Sequence, residues 1–394
     1  MNIKKNDHRY IANTYNRFPV VIKYGKGSFV YDENGKEYID LSGGIAVNTF
    51  GFADQTWIDA ITNQLQQIQH TSNLYYTEPA VKLAEMLCKK TNMQKVFFSN
   101  SGAEANECAI KVARKYAADL KGKDYYTIIT LENSFHGRTI TTLAATGQSD
   151  FHQDFTPLTS GFVYARANNF SDIEKLAEQN QCAAIMLEVI QGEGGVNPLN
   201  QEYLHQVADF CVNNNLLLIT DEVQTGNGRT GELFGYMNFG LKPDIVTTAK
   251  GLGGGLPLGA TILGEKVQNT LTPGTHGSTF GGNPVCCAGA INILQRIDDK
   301  LLTEVKHKSQ FVISSLHNSK GIKSVTGLGL MLGIETERNH NDVIRECLEQ
   351  GILVISAKNK VRLLPALNIP QEVLGTAINI IKNVCAKTDL EKMN

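Results

Sequence analysis

The chain has 394 residues, 42% of them hydrophobic and 19% charged, with a formal net charge of −2. That is enough apolar chain for a large core and about two to three domains, while the near-neutral balance excludes an electrostatic case for nucleic acid or an anionic membrane. No apolar run reaches the roughly 18–20 residues that span a bilayer, the eight cysteines form no C-x-x-C pair, and the nine histidines show no ligand spacing, so a reduced, cytoplasmic protein without a metal site is expected.

The first residues, MNIKKNDHRYIANTY, are basic with no apolar stretch behind them, which does not read as a signal peptide. Residues 1–48 read as a short β-rich arm. GSFVYDENGKEYIDLSGG alternates apolar and polar residues about Asn34-Gly35, a hairpin signal. From about residue 55, helical patterns alternate with short, almost continuously apolar strands. These are KVFFS (95–99), YYTIITL (125–131), AAIMLEV (183–189), LLLIT (216–220) and DIVTTA (244–249). Alternation of this kind predicts an α/β domain with a mostly parallel sheet buried between helices. After about residue 290 the pattern changes to an amphipathic helix around INILQRI, then helices with the short strands MLGIE, GILVIS and KVRLLP. The expected layout is an arm (1–48) packing with a small α+β domain (291–394), beside a large domain (49–290).

Chemistry gathers at the predicted strand ends. FFSNSGAEANECAIKVARKY turns from strand to helix at Ser101, Gly102 and Ala103. Free backbone N–H groups and the helix dipole favour a phosphate there, and Gly102 has no side chain to block its approach. On its own, Ser101 would be an ordinary helix cap. SFHGRT (134–139) follows another strand, with Phe135 able to stack on a flat ring and Arg138 able to fork a carboxylate. LLLITDEVQTGNGRTG sets Asp221 and Glu222 directly after a buried strand, where ligand sites of open α/β sheets lie. The glycines at 226, 228 and 231 match a dinucleotide fingerprint in letters only. DEVQT separates them from the strand and no Ala/Val-rich helix follows, so a nicotinamide-dependent dehydrogenase has little support. In PDIVTTAKGLGGGLPLGA, Lys250 ends a strand among glycines that leave room for a large group. A desolvated lysine near a cationic ring loses proton affinity and becomes a nucleophile towards aldehydes. Phosphate cradle, acid, stacking aromatic and lysine together describe a pyridoxal phosphate site.

SNSGAEANE, FHGRT with LAATGQ, E-x-IQGEGGV, LLITDEVQTGNGRTG, PDIVTTAKGLGGGLPLGA, HGSTFGGNP, GLGLMLGIE and VRLLPAL run along nearly the whole chain. Together they resemble the class III (ω-amino-acid) aminotransferases of the type I pyridoxal phosphate fold. The resemblance implies that Lys250 carries the cofactor, that Asp221 pairs with its ring nitrogen, and that Val223 and Phe135 pack on the two ring faces. It implies that Gln224 bonds the ring hydroxyl, and that Ser101, Gly102 and Ala103 cradle the phosphate. Thr279 of a neighbouring subunit would complete that cradle, implying a homodimer with shared sites. Arg138 and Arg362 would bind substrate carboxylates, and Glu193 would cover Arg362 whenever an ω-amine reacts.

The implied reaction moves the δ-amino group of N-acetylornithine to 2-oxoglutarate, within arginine biosynthesis. Succinylornithine, ornithine, 4-aminobutyrate and succinyl-diaminopimelate are rival substrates on the same scaffold. Gly44 stands where ornithine-specific members carry a tyrosine, which argues against free ornithine. Two segments depart from the family pattern, GFADQ (51–55) and Val189 in place of a proline, and neither carries chemistry. A non-catalytic relative would be expected to lose Lys250 or Asp221, and both are present.

Overall fold

In the computed structural model, which describes residues 2–387, a seven-stranded sheet forms the centre. In sheet order its strands are Lys95–Ser99, Gly259–Leu263, Ile245–Thr248, Leu217–Asp221, Cys182–Leu187, Thr127–Leu131 and Phe162–Ala165. All run parallel except Gly259–Leu263, which is antiparallel to both neighbours. The central strands are buried along their whole length, as expected of a sheet covered on both faces. The helix Gly102–Lys121 covers one face with Cys108, Ala109, Val112 and Ala113, all fully buried against Ile128, Ala184 and Ile219.

Towards the C-terminus, Ile322–Leu328, Met331–Thr336, Lys360–Leu363 and Ile355–Ala357 form a second, antiparallel sheet. Helices Asp299–Leu316, His340–Glu349 and Gln371–Ala386 accompany it. The N-terminal strands Ile22–Lys26, Phe29–Asp32 and Glu37–Asp40 form a third sheet whose last member is Ile352–Leu353, drawn from the C-terminal region. Its hairpin turns at Asn34-Gly35, with Gly35 at φ +84°.

Two elements differ from expectation. A helix, Ile3–Tyr10, precedes the β-rich segment; it buries none of its residues, so no apolar stripe announces it. The antiparallel strand Gly259–Leu263 lies in GATIL, whose glycine and small residues read as a continuation of the glycine cluster. Among the described residues no helix is long and apolar enough to cross a membrane.

Candidate active site

A cavity of about 590 Å³ opens at the carboxyl ends of the parallel strands. Ser101, Gly102, Ala103, Phe135, Arg138, Asp221, Val223, Gln224 and Lys250 all line it. At one side the helix Gly102–Lys121 presents its N-terminus. Ser101 caps it, its Oγ accepting from the Glu104 N–H at 3.2 Å, while Glu104 accepts from the Asn100 N–H at 2.8 Å. The helical ladder begins with Ala105 N–H to Ser101 C=O, so the amides of Gly102 and Ala103 precede it. The space beside Gly102 belongs first to a neighbour, because a Cβ there would stand 2.6 Å from Val223 Cγ1. The glycine is needed to seat Val223 against the cradle, besides any room it leaves a ligand.

Asp221 is 3% exposed at its strand end. One oxygen accepts from Asn106 Nδ2 (2.7 Å) and His136 Nδ1 (2.8 Å), and the other from the Val223 N–H (3.0 Å). Asn106 is fixed in turn by Thr247 Oγ1, which donates to its Oδ1, and by its own donation to the His136 carbonyl. Glu222 points elsewhere. It accepts from Thr225 Oγ1 and from the amides of Gly235 and Tyr236, and burial pushes its carboxyl up to about 7. The glycines at 226–231 form part of a buried turn, whose Arg229 reaches the carbonyls of Leu330 and Pro365 in the C-terminal region. That turn leads to a short 3-10 segment, Gly235–Phe239, so no dinucleotide helix exists there.

Lys250 follows the strand Ile245–Thr248 with φ +44°, a left-handed conformation uncommon outside glycine. Burial lowers its proton affinity, and the Arg362 charge adds to that effect against Glu193, Asp221 and Glu188. Glu188 lines the cavity and accepts from the Phe135 N–H at 3.0 Å, which fixes the backbone from which the Phe135 ring projects. Burial, then the nearby Asp221, raises the Glu188 carboxyl well above the usual range.

Bonded to Gln224 of the lining, but not lining the cavity itself, is Arg362, its side chain 3% exposed. Its Nη1 and Nη2 donate to the two oxygens of Glu193 at 2.6 and 3.2 Å, and Nη1 also donates to Gln224 Oε1 at 3.0 Å. Gln224 Nε2 closes the triangle on Glu193 at 3.2 Å. Burial alone would raise the Glu193 carboxyl, but the Arg362 charge and hydrogen bonds outweigh it and lower it. Arg138 sits exposed at the mouth, its guanidinium 4.3 Å from the ring centre of Phe151 and 5.7 Å from that of Phe135.

Glu193 and Arg362 do not line the cavity themselves and meet it only through Gln224, while Thr279 lies away from it altogether. It is exposed and lines a separate cavity of about 350 Å³ with Tyr75 and Tyr76. Three residues of the site escaped the sequence reading: Asn106, His136 and Glu188. Each lay inside a quoted segment, SNSGAEANE, FHGRT or E-x-IQGEGGV, but only folding shows Asn106 and His136 meeting on Asp221.

A helix-end anion cradle, a buried acid facing the cavity and a desolvated lysine suit pyridoxal phosphate, and together they define an enzyme that uses it. Residues 10–385 match the family described as Aminotransferase class-III. The chain is 50% identical to the acetylornithine aminotransferase of Haemophilus ducreyi, with 98% of each chain covered. It is 45% identical to that of Aquifex aeolicus, covering 95% of this chain and 99% of the other. Among solved structures, the ornithine aminotransferase of Toxoplasma gondii superposes with a TM-score of 0.94 at 32% identity, covering 100% of this chain and 96% of that one. The N-acetylornithine aminotransferase of Stenotrophomonas maltophilia gives 0.84 at 34% identity, covering 97% and 98%. The chain belongs to the class III aminotransferases, which are pyridoxal phosphate-dependent transaminases acting on small molecules.

Proposed function

We propose that this enzyme transfers the δ-amino group of N-acetylornithine to 2-oxoglutarate, yielding N-acetylglutamate semialdehyde and glutamate, as a step of arginine biosynthesis. The observation that carries this reading is the Glu193–Arg362 pair beside Lys250. An enzyme that takes an ω-amine in one half-reaction and an α-amino acid in the other needs a carboxylate-binding arginine that can be covered. An uncovered guanidinium facing a substrate's methylene groups would be costly. Here the cover is in place, made by Glu193 and completed by Gln224.

Bound pyridoxal phosphate supplies the electron sink and carries the amino group between the two substrates. Ser101, Gly102 and Ala103 would hold its phosphate, Phe135 and Val223 would enclose its ring, and Gln224 would bond the ring hydroxyl. Asp221, held in position by Asn106 and His136, would keep the ring nitrogen protonated. Lys250 would hold the cofactor and would act as the base that moves the proton at the substrate carbon bearing nitrogen. Arg138 takes the carboxylate of N-acetylornithine or the distal carboxylate of glutamate. Arg362, released by Glu193, takes glutamate's α-carboxylate in a two-pronged bond.

The assembly is a homodimer with shared sites, in a cytoplasmic enzyme built as an arm (1–48), a large domain (49–290) and a small domain (291–394). Exposed Leu74, Tyr75, Tyr76 and Phe280 surround Thr279, and Tyr76 is wholly uncovered. An apolar surface of this kind marks an interface, and a second copy would bring Thr279 to its neighbour's phosphate. Free ornithine is the rival substrate, favoured by the fold similarity to the Toxoplasma enzyme. Against it, Gly44 offers no side chain and sits at φ +63°, which disfavours a larger residue.

The test uses cofactor-loaded enzyme in parallel cuvettes with N-acetylornithine, ornithine, succinylornithine and 4-aminobutyrate. The visible band is expected to bleach fastest with N-acetylornithine. Faster bleaching by another amine would keep the reaction class and overturn the substrate.

A further inference from the structure

Glu193 stands on a small hairpin. Ile190–Gln191 pairs antiparallel with Asn197–Pro198, enclosing residues 192–196. The far side of that turn is strained, with Gly195 at φ +114° and Val196 at φ +53°. A β-branched residue in the left-handed region persists only where its surroundings hold it.

Those surroundings belong to the sheet that carries Arg362. Val196 is fully buried over Gly333, where a Cβ would come within 2.9 Å of Val196 Cβ and 3.2 Å of Lys360 Cδ. Thr326 Oγ1 donates to the Val196 carbonyl at 2.7 Å. Lys360 Nζ donates to Thr326 Oγ1 at 2.8 Å and to Asn197 Oδ1 at 2.9 Å, and Asn197 Nδ2 donates to the Gly194 carbonyl at 2.9 Å. Lys360 lies two residues before Arg362 on the same strand, hence on the same face. One strand therefore holds both the arginine that Glu193 covers and a buried ammonium tied to the turn that carries Glu193.

We propose that Lys360 is a positioning residue for Glu193: its ammonium, shared between Asn197 and Thr326, seats the 192–196 turn so that Glu193 rests on Arg362, which biases the site towards the ω-amine half-reaction. This rests on the reading of Glu193 and Arg362 given above. Lys360 touches neither substrate nor cofactor in this account, and its effect is on selectivity.

The test compares kcat/KM of the cofactor-loaded enzyme for N-acetylornithine and for glutamate in wild type, Lys360→Met, Lys360→Arg, Thr326→Val and Glu193→Gln. Losing a charge-assisted hydrogen bond should shift the ratio of the two values about tenfold towards glutamate in Lys360→Met. Thr326→Val should shift it less in the same direction, and Lys360→Arg should stay nearer wild type. A proportional fall in both values, or an unmoved ratio, in Lys360→Met would overturn the proposal. If that variant does not fold, an unmoved ratio in Thr326→Val overturns it instead. An unmoved ratio in Glu193→Gln would overturn the gate itself and this inference with it. A shift in Glu193→Gln alone would overturn only the role of Lys360.

Discussion

Asp221, which lines the cavity, and Arg362, which bonds to Gln224 of that lining, are both buried charges, yet their partners come from different kinds of places. Asp221 is met by Asn106, fixed by Thr247 of the neighbouring strand, and by His136 from the segment after another strand. Asn106 and Thr247 belong to the covering helix and the central sheet, and His136 to the segment that follows one of its strands. Arg362 projects from a different sheet and is met by Glu193 at the tip of a short hairpin and by Gln224 after the Asp221 strand. The first arrangement ties Asp221 to its neighbouring strand and covering helix through Asn106 and Thr247. The second can open by moving one turn. In the proposed reaction, the charge needed in every step is built into the frame, and the charge needed in half of them would be covered by a movable part.

Lys250→Ala should lower kcat by about a thousandfold or more while the protein remains folded, if Lys250 moves the proton at the reacting carbon as proposed. Steady-state assays with circular dichroism check this. Asp221→Ala should leave His136 and Asn106 facing an unfilled buried acceptor position and cost about 1–3 kcal/mol of stability. Denaturant unfolding would show it, and a loss under about 1 kcal/mol would mean that the frame is less rigid than described.

Glu222 shares that frame and adds a pH signature. Its folded carboxyl sits at about 7 against an ordinary 4.5, so the folded state holds the proton more tightly. Its contribution is therefore fully present below about 4.5 and is lost as pH rises to about 7, worth about 3 kcal/mol. Glu222→Gln should flatten the fall of stability across that window, as read from melting temperatures at several pH values. The smallest effect is expected at the cradle. Ser101→Ala removes the cap on Glu104 N–H and should cost roughly 1 kcal/mol in denaturant unfolding.

Legibility in the sequence followed the same division. Ser101, Phe135, Asp221 and Lys250 could be picked out because each follows an apolar strand within an unbroken segment, and strand ends are where such sheets bind ligands. The partners of Asp221 were not readable as such. Asn106 lies 115 residues before it and His136 lies 85 before it, and no periodicity reports a contact at that separation. Asp221 and Glu222 are adjacent in sequence and looked interchangeable, yet strand alternation sends them to opposite sides, one to the cavity and one to a loop. The central strands were legible from continuous apolar runs, whereas Gly259–Leu263 was hidden by its small residues and Ile3–Tyr10 by its lack of a buried face. The seating of the 192–196 turn was invisible, because a left-handed valine is a product of packing rather than of local preference.

The most direct test of the account is a rapid-mixing comparison of the two half-reactions in wild type and Glu193→Gln, using N-acetylornithine and glutamate with cofactor-loaded enzyme. A movable cover predicts that Glu193→Gln slows the N-acetylornithine half-reaction relative to the glutamate one by about tenfold, the worth of one charge-assisted pair. Equal slowing of both would show that Glu193 is part of the fixed frame, and would contradict the division on which the account rests.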